Sequence, residues 1–133
     1  MLSNGALSWK SKRQPTVALS STEAEYMAVT DASKEAIWLR RLYEEIRPNP
    51  QTRPNPQCIF VDNNGAIELA KNQRQNDRSK HIDIKHHFIR EAVESKLVEL
   101  KRVDSKENTA DILTKALSAE LHQRHMKGLG QLC

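Results

Sequence analysis

The stretch that decides the fold is CIFVDNNG, residues 58–65. Four consecutive apolar residues that end on Asp62 are typical of a buried strand, and the Asn-Asn-Gly that follows stops this strand before a helical pattern. In open α/β sheets, ligands and ions collect at the carboxyl ends of the strands. The sequence therefore predicts a buried strand that brings a carboxylate to the edge of a sheet.

Upstream of this strand the sequence predicts a long amphipathic helix from about Thr22 to Ile46. Apolar residues recur there at steps of three and four, namely Val29, Ala32, Ala36, Leu39, Tyr43 and Ile46. Before the helix, the alternation in Ala6–Lys10 predicts a short strand with Leu7 and Trp9 on one side. Between helix and buried strand, four prolines in residues 47–57 predict a loop.

Downstream, helical patterns cover residues 66–70 and 82–93, and a third strand lies within residues 96–103 with Val98 and Leu100 on one face. A last helix is expected to be capped near Thr109. This alternation of strands and helices predicts a mixed α/β fold. We expect one domain over residues 1–117, followed by a weakly patterned tail over residues 118–133.

The composition argues against a membrane-spanning protein and favours one with a charged surface. The 133 residues are 38% hydrophobic and 29% charged, with a mean hydropathy of −0.70, and no apolar run approaches the length needed to span a membrane. The first residues lack the pattern of a secretory signal, so an intracellular location is expected. A net charge of +4 and a pI near 9.2 favour a polyanionic partner.

Three acidic residues lie where predicted elements begin or end. Glu25 falls in the first turn of the long helix, Asp62 ends the buried strand, and Asp111 begins the last helix. Carboxylates in such places can be metal ligands, but each also has a structural explanation. Glu25 could close a capping box with Thr22, in competition with Ser20 and Glu23.

The structural explanations of the other two carboxylates are equally specific. Asp62 could be the N-cap of the helix that begins near Asn64. Asp111 could offset the helix dipole or form an i,i+4 pair with Lys115. Residue positions alone leave these alternatives open.

Four local motifs occur in a fixed order. They are SSTEAEYMA at residues 20–28, VDNNGAI at 61–67, KHIDIKHHFIRE at 80–91 and ADILTKAL at 110–117. Together they resemble the ribonuclease H region of copia-type LTR-retrotransposon Pol polyproteins. The resemblance runs from about Gly5 to Leu117 and is far more specific than any single motif.

This resemblance implies a ribonuclease H-like fold and cleavage of the RNA strand of an RNA–DNA hybrid. In that family two divalent ions carry the hydrolysis, so Mg²⁺ is implied as the cofactor, with Mn²⁺ as a substitute. The catalytic and metal-binding carboxylates carry over to Glu25, Asp62 and Asp111. The implied partners are the RNA–DNA hybrid and the reverse transcriptase portion of the polyprotein, and no membrane is involved. The implied location is the cytoplasm, a virus-like particle or the nucleus.

The sequence departs from the family pattern at its start. The family has a first aspartate on an early central strand, whereas Met1–Ala24 contains no aspartate. We therefore expect an incomplete fold without the first two strands, Ala6–Lys10 left without its sheet neighbour, and a chain that is inactive alone. The alternatives are a nucleic-acid-binding remnant without cleavage, a degenerate open reading frame, and a scaffolding helical protein.

Basic residues between and within the helical patterns are candidates for contact with nucleic-acid phosphates. They are Lys71, Arg74, Arg78, Lys80, Lys85 and Arg90. A solvated charged surface explains them equally well. Five histidines raise the alternative of a zinc site, although His122 and His125 have no obvious further ligands.

Overall fold

The computed structural model describes residues 6–47, 55–71 and 80–130, with only the backbone described for 80–86. The chain divides into two compact units: Ala18–Arg102, and Met1–Val17 together with Val103–Cys133. The first unit is a mixed α/β structure built on a parallel pair of strands, which confirms the predicted α/β class, whereas the ribonuclease H-like fold stays a prediction. The predicted division at residue 117 stays a prediction.

Helix α1 spans Ser21–Ile46 and is 26 residues long, close to the predicted bounds. Its buried residues follow helical spacing but not the predicted stripe: Tyr26, Met27, Val29, Thr30, Ser33 and Ile37 are buried, whereas Ala32, Tyr43 and Ile46 are exposed. The predicted stripe was right at Val29, which is buried, and wrong at Ala32, Tyr43 and Ile46, and the buried face also includes two hydroxyl side chains. The Thr30 and Ser33 hydroxyls donate to the carbonyl oxygens of Tyr26 and Val29, at 2.9 and 2.8 Å, so neither is left unsatisfied.

Strands β1 (Gln57–Val61) and β2 (Val98–Arg102) pair in parallel, with Val61 opposite Arg102. Helices α2 (Asn64–Lys71) and α3 (Lys80–Glu94) lie in the connection between them. A parallel pair requires such a crossover because no short turn can join its strands. Both strands and the helices of the connection were predicted from the sequence.

The core lies between one face of this sheet and the helices. Val61, Ala66 and Ile89 are completely buried, and Val98 and Leu100 are 1% and 5% exposed. Phe60 points to the other face and is 61% exposed. This alternation along each strand is the period of a sheet covered on one side by α1, α2 and α3.

The turn from α3 into β2 is set by a left-handed residue. Lys96 has φ 54°, its N–H donates to the Val93 carbonyl at 3.0 Å, and the Leu97 N–H donates to the Ala92 carbonyl at 2.9 Å. These two bonds form the Schellman arrangement that ends many helices. The chain can therefore turn directly from the end of α3 into β2.

The second unit contains two short 3₁₀ helices, Ser105–Glu107 and Thr109–Leu113, and helix α4, Ala119–Gly128. Helix α4 was not predicted, because its polar sequence carries a weak apolar stripe. The predicted strand at Ala6–Lys10 was wrong: residues 6–20 contain no strand, and Leu7 and Trp9 are 51% and 72% exposed. A strand requires a paired neighbour, and this segment joins no sheet in the part of the chain described.

No helix among the described residues is long and apolar enough to cross a membrane.

The core predicts a clear contrast between two isoleucines on helices. Ile89 is fully buried, whereas Ile46 is 69% exposed. Replacing Ile89 by alanine should lower the free energy of unfolding by about 2–5 kcal/mol, since the change leaves a cavity. Ile46→Ala, measured in dilute protein, should change it by less than about 0.5 kcal/mol. Urea unfolding measures both, and equal effects would contradict the assigned core.

Candidate active site

Asp62 lies at the carboxyl end of β1 and is half-buried. The neighbouring residue, rather than Asp62, caps the helix that follows. The Asn63 side-chain oxygen accepts a hydrogen bond from the Ala66 N–H at 3.1 Å. The explanation of Asp62 as an N-cap is therefore wrong, and this carboxylate is not used to begin α2.

Glu25 lies in the second turn of α1 and is half-buried. The cap of this helix is Ser20, whose hydroxyl oxygen accepts from the Glu23 N–H at 3.1 Å. The Glu23 carboxylate reaches back and accepts from the Leu19 N–H at 2.7 Å. Of the two competing boxes, that of Ser20 and Glu23 has formed, so Glu25 does not cap α1.

The first turns of α1 and α2 lie against each other. A Cβ atom placed on Gly65 would lie 3.0 and 3.1 Å from two side-chain atoms of Thr22, and 3.1 Å from the Asn63 side-chain oxygen. A side chain at position 65 would have to displace these atoms, so only glycine allows the first turns of α1 and α2 to lie this close. Since Glu25 is three residues beyond Thr22 and Asp62 three before Gly65, both carboxylates belong to the same end of this unit, where β1 stops.

The residue that follows Glu25 is Tyr26, whose phenol side chain is buried. Tyr26 is 2% exposed, and burial raises the pKa of its hydroxyl to about 12, an effect that the positive charge of Arg90 partly opposes. Arg90 itself is half-buried, and its Nε atom is enclosed without a hydrogen-bond partner in the described structure. Arg90 was predicted to contact phosphates, and the structure puts its charge close to Tyr26.

Asp111 belongs to the other compact unit and is 9% exposed. It lies in the 3₁₀ helix that Asn108 caps, one residue before the predicted cap. Its carboxylate accepts from the Lys115 ammonium at 2.8 Å, so the predicted i,i+4 pair is present. Its role as a metal ligand stays a prediction.

Among the described residues, no three side chains of His, Cys, Asp or Glu are grouped so that they could hold a metal ion. Glu25 and Asp62 lie in the same compact unit, Ala18–Arg102, and Asp111 lies in the other. His87 and His122 are exposed, and His125 is buried with its Nε2 atom unpartnered within the described part of the chain. The side chains of His81 and His86 lie outside the described residues.

The candidate phosphate-binding residues are only partly described. Lys71 is exposed in the last turn of α2. Arg74 and Arg78 lie outside the described residues, and for Lys80 and Lys85 only the backbone, in α3, is described. Their contact with nucleic acid stays a prediction.

Sequence reasoning missed three residues that shape this end of the molecule, namely Tyr26, Asn63 and Gly65. Asn63 was passed over because an aspartate precedes it and both residue types cap helices. The glycine could have been noticed as a residue that weakens the first turn of a helix and so marks a close approach. Burial of Tyr26 could not be predicted from a helical stripe that began at Val29.

Fold and site together define a mixed α/β protein with two half-buried carboxylates at the end of a parallel strand pair. The chain is similar to the retrovirus-related Pol polyprotein from transposon TNT 1-94 of Nicotiana tabacum, with 43% identity over 115 residues, which is 86% of this chain and 8% of that protein. It is also similar to the Pol polyproteins from transposons RE1 and RE2 of Arabidopsis thaliana, with 40% and 37% identity over 129 residues, 97% of this chain and 9% of each.

The chain thus spans less than a tenth of the length of the curated relatives it matches. It is homologous to one segment of retrovirus-related Pol polyproteins of plant transposons, which supports the polyprotein origin predicted from the four motifs. No protein-family model matches the sequence. No solved structure matches it significantly.

The capping arrangement predicts which serine supports α1. Ser20→Ala should lower the free energy of unfolding by about 1 kcal/mol, because the Glu23 N–H loses its acceptor. Ser21→Ala, one residue into the helix, should change it by less than about 0.5 kcal/mol. Chemical denaturation compares the two variants, and a neutral Ser20→Ala would show that another residue caps the helix.

Tyr26 predicts a loss of stability at high pH. Its pKa is 10.0 in the unfolded chain and about 12 in the folded protein, so the neutral phenol is favoured by folding. The resulting stabilisation is complete below pH 10 and is lost as the pH rises to 12. The loss should amount to about 2–3 kcal/mol. Urea unfolding between pH 9 and 12 measures it, and Tyr26→Phe should lack this part of the pH dependence.

Proposed function

We propose that this chain is the ribonuclease H region of a retrotransposon Pol polyprotein, acting inside the cell on the RNA strand of an RNA–DNA hybrid. Its four motifs resemble that region of copia-type polyproteins, and its relatives are Pol polyproteins of transposons. The reaction is hydrolysis of a phosphodiester bond, in which water attacks phosphorus and a ribose oxygen leaves.

The observation that carries this proposal is that two carboxylates lie at one end of the α/β unit while other residues cap the neighbouring helices. Ser20 with Glu23 caps α1, and Asn63 caps α2. Glu25 and Asp62 lie at the end of the unit where β1 stops and where α1 and α2 begin, and neither is the N-cap of a helix. Half-buried carboxylates at the carboxyl end of a parallel strand are typical of sites that bind ions or phosphorylated ligands.

The proposed cofactor is Mg²⁺, with Mn²⁺ as a substitute. The oxygens of Glu25 and Asp62 are hard ligands of the kind that such ions prefer, so the chemistry of this pair fits the ion. A bound divalent ion would supply an activated water and stabilise the leaving oxygen. The two residues alone give two ligands, and the remaining ligands have to come from elsewhere in the chain, from water or from substrate.

Asp111 is the third proposed ligand, and its present contact sets a condition for that role. Its carboxylate is paired with Lys115, whose ammonium group is half exposed. To bind an ion, the carboxylate has to exchange this ammonium for the ion. Such an exchange costs little, because Lys115 can return to solvent.

Contact with the hybrid is proposed for the six basic residues named from the sequence, through attraction to phosphates that does not depend on base sequence. Lys71 is the exposed member whose side chain the structure describes fully. The family's first aspartate has no counterpart in Met1–Ala24, so we propose that a further polyprotein segment, next to the reverse transcriptase portion, supplies it together with additional strands.

The experiment measures cleavage of a labelled RNA–DNA hybrid with Mg²⁺ or Mn²⁺ by the chain alone and by the chain co-expressed with the upstream segment of a related Pol polyprotein. Cleavage should require the added segment. Glu25→Gln and Asp62→Asn should then lower the rate on the order of a hundredfold or more. Glu23→Gln is the matched control on the same helix and should retain activity.

Each outcome decides a different part of the proposal. Cleavage by the chain alone that Asp62→Asn abolishes would show that the carboxylates suffice without the added segment. Equal loss in Glu23→Gln and Glu25→Gln would contradict the assignment of Glu25. Binding of the hybrid without cleavage in any combination would support the non-catalytic nucleic-acid-binding alternative, and absence of both would overturn the proposed function.

A further inference from the structure

The last third of α1 carries an exposed apolar surface, here called the α1 end surface: Trp38, Leu42, Tyr43 and Ile46. These side chains are 56%, 38%, 47% and 69% exposed. The buried residues of the helix end at Ile37, although the helix continues for nine more residues. The sequence predicted burial of Tyr43 and Ile46 from their periodicity, and the elements described in this unit do not supply it.

The apolar residues form one ridge of the helix. Trp38, Leu42 and Ile46 are four residues apart, which is the row that packs into the grooves of another helix. Patches of this kind are uncommon on monomers unless they bind something. The surface therefore has the geometry of one half of a helix pair.

The charged residues beside this ridge indicate which partner helix would bind to it. Arg40 and Arg41 precede Leu42, and Glu44 and Glu45 follow it. Arg40 is bonded to Glu44 within the helix at 2.9 Å, whereas Arg41 and Glu45 are both exposed. In an antiparallel pair of identical helices centred near Leu42, Arg41 of each copy lies beside Glu45 of the other. The sequence WLRRLYEEI is thus complementary to itself in both charge and apolar pattern.

The surface also offers a recess for the partner. Trp38 lines a hollow of about 300 Å³ between α1 and α3, together with the apolar residues Ile37, Phe88, Ala92 and Leu97 and the charged residues Lys34, Arg41 and Glu91. Antiparallel pairing brings Ile46 of a second copy next to Trp38. Its branched aliphatic side chain can pack on the apolar part of this lining, which would cover both the indole and Ile46, while the charged residues remain at the margin for polar contacts.

We infer that the α1 end surface binds a second copy of this chain in an antiparallel, two-fold arrangement. This inference does not depend on hybrid cleavage. The four side chains offer on the order of 400 Å² per copy, so the two copies together bury less than a standard specific interface. The dimer should accordingly be weak and should dissociate on dilution, with a Kd in the micromolar range.

The experiment is sedimentation equilibrium of the full chain over a range of concentrations from about 1 µM to 1 mM, with circular dichroism to show that each variant is folded. The unaltered chain should move from monomer to dimer. Leu42→Asp should raise the Kd at least tenfold, because it buries an unpaired charge at the two-fold axis. Lys127→Glu, an exposed change on α4, is the control and should leave the Kd unchanged.

Charge reversal tests the antiparallel arrangement itself. Arg41→Glu makes both flanking positions acidic, and Glu45→Arg makes both basic, so each variant alone should dimerise at least severalfold more weakly. An equimolar mixture of the two should form a heterodimer, and the double variant should recover the homodimer.

Three results would overturn the inference. One is a chain that stays monomeric up to 1 mM, and another is a dimer that Leu42→Asp leaves intact. The third is a monomer whose binding to single-stranded nucleic acid weakens when Trp38 is replaced by alanine, since the occupant of the surface would then be nucleic acid.

Discussion

Parallel pairing of β1 with β2 is the constraint on which the described α/β unit depends. Parallel strands cannot be joined by a tight turn, so the chain between Val61 and Val98 must cross over, and α2 and α3 lie in that crossover. The helices then cover one face of the pair and bury Val61, Val98 and Leu100. The same pairing determines where Asp62 lies. Asp62 follows the last residue of β1, so it lies at the edge of the sheet where the carboxyl ends of the strands are found.

At that edge, two helices begin close together, and this has an electrostatic consequence. The first turns of α1 and α2 approach each other at Thr22 and Gly65. The amino end of a helix carries partial positive charge, so carboxylates near two such ends are stabilised there without any ion. The position of Glu25 and Asp62 near these ends is therefore compatible with the fold when no cation is bound. Ser20 and Glu23 cap α1, and Asn63 caps α2. Binding of a cation by Glu25 and Asp62 would therefore leave both helix caps intact.

The sequence predicted the positions of the helices and strands better than it predicted which of their faces are buried. Both paired strands and the first three helices follow from apolar period and from the punctuation by proline, asparagine and glycine. The inner face of α1 did not, because Thr30 and Ser33 are polar in sequence and buried in the fold, each bonded to its own helix. Helix α4 lacked a sufficient apolar stripe, and Ala6–Lys10 had the pattern of a strand without a neighbour. The site carboxylates were named from the family resemblance and their role stays a prediction; the structure adds that Glu23, the neighbour of Glu25, belongs to the cap of α1.

The sheet presents a second surface that the three helices do not cover. Its outward residues include Phe60, 61% exposed, and the Glu99–Lys101 ion pair at 3.3 Å. Parallel sheets are usually covered on both faces, so a pair covered on one face can be extended or covered by more chain. The relatives are more than ten times as long as the matched segment, so further polyprotein chain is available for this. Since α1 packs on the inner face, a dimer formed through its end would leave the outward face open. Self-association and completion of the sheet are therefore compatible within one assembly.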